Sequence, residues 1–138
     1  LPPGSYCAVL GVGGLGHIAL QVLREMSGCR TIAIDREPGA RVLAKELGAD
    51  HVLDGGPNLI EELKSITGGG AHVVIDFVGE LGVENICWRL LRTGGEVIVV
   101  VDPVQVLGDR AGFTVQARAQ APPRAADRVG SRGWCGAW

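Results

Sequence analysis

Apolar residues along the first hundred positions switch repeatedly between two periods. Tyr6 to Leu10 is a short unbroken apolar run, halted by Gly11, which predicts a buried strand. Leu15, Ile18, Ala19, Val22, Leu23 and Met26 then recur at helical spacing, predicting one apolar face of a helix that stops by Gly28. Thr31 to Ile34 is a second β-rich run. Pro38 suits the first turn of a helix, Ala40, Leu43, Ala44 and Leu47 form its stripe, and Gly48 suits the position just past its end. His51 to Leu53 is a third, weaker strand. Leu59, Leu63 and Ile66 stripe the next helix, which ends at Gly68-Gly69-Gly70. "HVVIDFV" (72–78) is a strand, apolar apart from its aspartate. Val83, Ile86, Cys87, Leu90 and Leu91 predict a fourth helical face ended by Gly94-Gly95, and "EVIVVV" is a fifth strand.

Continuously apolar strands, each followed by an amphipathic helix, require crossovers and a sheet covered on both faces. The expected fold is α/β, a doubly wound, Rossmann-like parallel sheet with strand order 3-2-1-4-5. Five strands are clear. A sixth is either missing or replaced by something around Phe113 to Val115. The patterning stops near Val101: beyond Asp102 there is no Lys, Glu or Ile, while Arg, Ala, Gly and Pro accumulate. Residues 1–101 are therefore expected to form the domain. Residues 102–138 are expected to be a poorly ordered tail, whether linker, disordered segment or product of another reading frame. The chain also begins Leu1-Pro2-Pro3-Gly4 rather than with Met, which points to a piece of something longer.

A net charge of −2 gives no electrostatic case for nucleic acid or an anionic membrane as partner. No apolar run has the length of a membrane span and no signal peptide is visible, so a cytoplasmic protein is expected. Cys7, Cys29, Cys87 and Cys135 are too scattered for a zinc site or a disulfide framework, and buried free thiols are expected for three of them. His17, His51 and His72 lack ligand spacing. His17 could reach a phosphate from its helix's first turn, or be an ordinary exposed residue.

Chemistry concentrates in "GVGGLGH" (11–17), between the first strand and the first helix. Gly11, Gly13 and Gly16 match a G-x-G-x-x-G loop. Gly11 permits the turn, Gly13 leaves room for a pyrophosphate, and Gly16 lets the helix pack closely on the strand. The free amides and positive end of the helix would hold phosphate charge. The second strand ends at Asp35, 19 residues after Gly16, where a carboxylate can accept hydrogen bonds from both ribose hydroxyls of an adenosine. A tight turn plus a capping aspartate would explain each residue singly, but not their joint spacing. A 2′-phosphate would repel Asp35, which favours NAD over NADP. Arg36 keeps NADP open, since its guanidinium could pair with that phosphate or lie over the adenine.

"PPGSYCAVLGVGGLGHIALQVL", "TIAIDREPGARVLAKELGADHVLD", "GGGAHVVIDFVGE" and "LLRTGGEVIVV" resemble the cofactor domain of the zinc-containing medium-chain alcohol dehydrogenases. "DFVG" and "LGADHV" carry more of that resemblance than the glycine loop does. It implies Gly13, Gly14 and Leu15 at the pyrophosphate of NAD, Asp76 to Gly79 beside the nicotinamide end, and Val78 and the strand end near Val100 along the cofactor. It also implies hydride transfer between an alcohol and NAD, a catalytic zinc whose ligands are not in this chain, and homo-oligomers that can pair through the last strand of this domain. By that reading the chain alone is an inactive fragment. Two alternatives use similar features: a stand-alone regulatory nucleotide-binding domain, and a transferase using S-adenosylmethionine. For Asp76, a structural hydrogen-bonding role is weighed against a catalytic one.

Overall fold

The apolar runs become strands and the 3.6-residue stripes become helices. The computed structural model describes residues 1–80, 82–101 and 114–120. In chain order these form β1 (Tyr6–Leu10), α1 (Gly16–Met26), β2 (Arg30–Ile34), α2 (Pro38–Glu46) and β3 (His51–Leu53). There follow α3 (Leu59–Thr67), β4 (Ala71–Asp76), α4 (Val83–Leu90), β5 (Leu91–Val101) and β6 (Thr114–Gln120). The sheet order is β3-β2-β1-β4-β5-β6, with β1 to β5 parallel. The fold is the doubly wound, Rossmann-like α/β fold expected from the pattern.

Winding proceeds outward from β1 to β3, then returns to β4 on the other side of β1. Right-handed crossovers then put the helices on opposite faces. Leu20 of α1 and Ala44 of α2 pack with Val9 and Ala33 on one face. Leu59 and Leu63 of α3, with Cys87 and Leu90 of α4, pack against Ala8, Leu10, Ile32, Ile34 and Val74 on the other. The reversal between β1 and β4 leaves a crevice at the carboxyl ends of the strands, where ligands bind in such sheets.

Three sequence expectations change. The buried face of α1 is Gly16 and Leu20 with half-buried Leu23, while Ile18, Val22 and Met26 are 48%, 47% and 81% exposed. Apolar residues wrap more than one side of this helix, and close contact at Gly16 selects which side faces the sheet. Arg24 locks the rotation by donating from Nη1 to the Leu47 carbonyl at 3.2 Å. Leu91, expected on the fourth helical face, instead starts β5, because it pairs with Ala71 across an irregularity in the ladder. The open question of a sixth strand is settled by β6, which runs antiparallel to β5. An antiparallel neighbour needs no crossover helix. The connection 102–113 and the tail from 121, with Cys135, lie outside the described residues.

Cys7, Cys29 and Cys87 are buried free thiols, as expected. Burial pushes the Cys7 and Cys87 thiols up to about 12, with Cys29 adding to the first effect and Asp76 to the second. Thiolate is the reactive form. Iodoacetamide at about pH 8 should therefore leave Cys7 and Cys87 unmodified in the native chain and label both after denaturation, as peptide mass mapping would show. No described helix is long and apolar enough to cross a membrane.

Candidate functional site

Hydrogen bonds just beyond the strand ends hold the rim of the crevice in register. Gly11 N–H donates to the Ile34 carbonyl at 2.9 Å, Asp35 N–H to Leu53 at 3.2 Å and Phe77 N–H to Leu10 at 2.9 Å. The tips of β1, β2, β3 and β4 are thereby tied together. Their departing loops line a cleft of about 210 Å³.

Gly11, the first residue of the glycine loop, forms part of one side. Gly11 has φ +85° and lies under the turn after β4: a Cβ placed on it would come 3.1 Å from Val78 Cγ2. A Cβ on Gly16 would overlap the Gly11 carbonyl. Gly13 and Gly14 differ from both, since a Cβ on either meets nothing within 4 Å. Space over those two residues is open, as a ligand approaching the backbone requires.

Leu15 occupies the N-cap of α1 and offers no side-chain acceptor. Among the described residues, the N–H groups of Gly13, Gly14 and Leu15 meet no acceptor. A helix start usually meets such donors with a Ser, Thr or Asp. Here no such side chain is present, and the three groups lie at the positive end of the helix dipole. His17 does not reach out toward that space; its Nδ1 lies 2.9 Å from the Gly13 carbonyl and ties the first turn to the loop.

Asp35 bridges two segments. Its Oδ2 accepts from Val12 N–H at 2.8 Å and its Oδ1 from Glu37 N–H at 2.9 Å. A carboxylate has about four acceptor positions, so capacity remains for hydroxyl donors from the cleft. Asp35 thus holds the turn into α2 without capping that helix, whose N-cap is Glu37 and which has no side-chain cap bond. Arg41, which the sequence reading did not single out, supports this corner from behind by donating to the carbonyls of Asp35 and Arg36. Arg36 is exposed and lays its stem toward Gly55, 3.6 Å from where a Cβ there would sit.

Gly11, Asp35, Arg36 and Val78 all line the cleft. Gly13, Gly14, Leu15 and Gly16 are not among its lining residues; they follow Gly11 along the loop into the start of α1. Val100 stands apart, on β5, two strands from β1. Leu10, Ile34, Gly55, Leu59, Glu80, Val83 and Ile86 complete the lining. The helical stripes had marked Leu59, Val83 and Ile86 only as core. Their part in the cleft follows from the strand order, which sets α3 and α4 side by side over β4.

The family model for zinc-binding dehydrogenases matches residues 14–103, well over half of the chain. The chain belongs to the zinc-binding dehydrogenase family. An alcohol dehydrogenase of Rhizobium meliloti (strain 1021) is 36% identical over 99 residues, covering 71% of this chain and 28% of that protein. One from Geobacillus stearothermophilus is 37% identical over 101 residues, covering 71% and 29%. The crystal structure of the alcohol dehydrogenase from Aeropyrum pernix superposes with TM-score 0.69 at 41% identity, covering 72% of this chain and 29% of that one. The chain thus spans under a third of these relatives' length. Among the described residues, no group of three or more His, Cys, Asp or Glu is placed to hold a metal. The described residues therefore do not fit a zinc site.

Proposed function

We propose that this zinc-binding dehydrogenase chain is an NAD-binding domain, and that the reaction it serves is hydride transfer between an alcohol and NAD. The observation that carries the reading is the open space over Gly13 and Gly14 in the loop that Asp35 holds through Val12 N–H, with acceptor capacity left on that carboxylate. The N–H groups of Gly13, Gly14 and Leu15 face the pyrophosphate. Asp35 accepts from the ribose hydroxyls of the adenosine. Ile34, Leu59 and Val78 supply apolar walls for the adenine, with the Arg36 stem at the mouth. Val78 shares its cleft with Asp35, so its side chain is assigned to the adenosine half rather than to the nicotinamide end. Bound NAD supplies the hydride acceptor, and this chain's residues hold and orient it.

The test is a calorimetric titration of the full chain with NAD, NADP and S-adenosylmethionine in parallel. NAD should bind most tightly and S-adenosylmethionine should give no heat of binding. Tighter binding of S-adenosylmethionine would instead favour the transferase alternative.

A further inference from the structure

β4 ends at Asp76, and the chain must turn sharply there to reach α4. Phe77 still makes a ladder bond to Leu10, but Val78 and Gly79 have left the sheet, and Gly79 takes φ +64°. Their two N–H groups need an acceptor. A single oxygen supplies it: Asp76 Oδ1 accepts from Val78 N–H at 2.8 Å and from Gly79 N–H at 3.2 Å. The turn so formed brings Val78 onto Gly11, with Cγ2 3.1 Å from the position of a Cβ there. Val78 is both part of the cleft wall and the residue whose N–H Asp76 holds.

We propose that Asp76 is a positioning residue for the nucleotide cleft, its buried carboxylate holding the 77–79 turn so that Val78 stands against the bound adenosine. This rests on the NAD-binding reading. Asp76 is only 2% exposed. Burial pushes its carboxyl above the ordinary value, the two N–H bonds pull it back, and Glu84 on α4 and Glu80 in the turn add to the rise. Cys87 on α4 also faces it. An acid raised in the folded state stabilises the fold below its unfolded titration and loses that contribution as pH rises through the folded one. Once ionised, the carboxylate therefore works against stability, and its gain is acceptor strength toward the turn. A neutral amide oxygen could accept the same two bonds without the buried charge.

The experiment uses the full chain and two variants, Asp76→Asn and Asp76→Ala. It reads NAD affinity by calorimetry and the exchange of the Val78 and Gly79 amides by NMR. Asp76→Ala should weaken NAD about fivefold or more and speed both exchanges by about tenfold or more, on the loss of a buried acceptor. Asp76→Asn should stay within about twofold of the parent in both readouts. Parent-like NAD affinity and amide protection in Asp76→Ala would overturn the inference. Should Asp76→Ala fail to fold, Val78→Ala decides: it keeps the acceptor of the turn and should weaken NAD about threefold or more, and parent-like affinity would overturn the inference. If the parent binds no NAD, the cofactor reading fails. The turn is then judged on exchange alone, and unprotected Val78 and Gly79 amides in the parent would overturn it.

Discussion

Gly16→Ala should lower the melting temperature by roughly 10 °C. The new Cβ would overlap the Gly11 carbonyl, a backbone atom that cannot swing aside as a side-chain tip would. Relief requires α1 to lift from β1, which opens the contacts of Leu20 with Val9 and Ala33. The same change three residues earlier should behave differently. A Cβ on Gly13 meets nothing in the protein, so Gly13→Ala should melt within roughly 2 °C of the parent. Its methyl group would instead occupy the space a phosphate approaches, and NAD affinity should fall about tenfold or more. Thermal melts and calorimetry on the two variants separate the packing glycine from the ligand glycine. Equal melting temperatures for both would show that the helix does not rest on Gly16.

Asp35→Ala should weaken NAD by about tenfold or more, since hydrogen bonds to a charged acceptor contribute roughly 1.5–3 kcal/mol. Part of this loss is indirect, because Val12 N–H loses its acceptor and the glycine loop slackens. The informative quantity is therefore the ratio of NADP to NAD affinity. Loop slackening weakens both nucleotides alike. Removing the carboxylate relieves repulsion only toward the one carrying a 2′-phosphate, so the ratio should shift toward NADP. A ratio unchanged from the parent would mean that Asp35 serves the loop alone.

The parts legible in the sequence are those set by local pattern. β1, the glycine loop and the acid ending β2 could be placed because their chemistry depends on short spacings within one β-α-β unit. Gly48, with φ +86° just past α2, was readable for the same reason. What could not be read depends on partners distant in sequence. The rotation of α1 is chosen by a contact between Gly16 and Gly11 and by Arg24 reaching Leu47, so apolar spacing pointed instead to the exposed Ile18, Val22 and Met26. Leu91 sits at helical spacing from Cys87, yet pairing with Ala71 draws it into a strand. Glu80, Ile86 and Gly55 meet in one cleft only because the winding reverses beside β1. The family resemblance implied Val78 along the cofactor; the structure puts Val78 and Asp35 in the lining of one cleft.

The most direct test of the account follows the backbone amide resonances of the full chain as NAD is added. Saturable shifts should appear at Gly13, Gly14 and Leu15, with companions at Asp35, Arg36 and Val78. They should share one dissociation constant of about 0.1–1 mM, equivalent to about −4 to −5.5 kcal/mol. Shifts that never saturate, or that cluster away from the glycine loop and leave Gly13 and Gly14 unmoved, would contradict the claim that this cleft holds a dinucleotide.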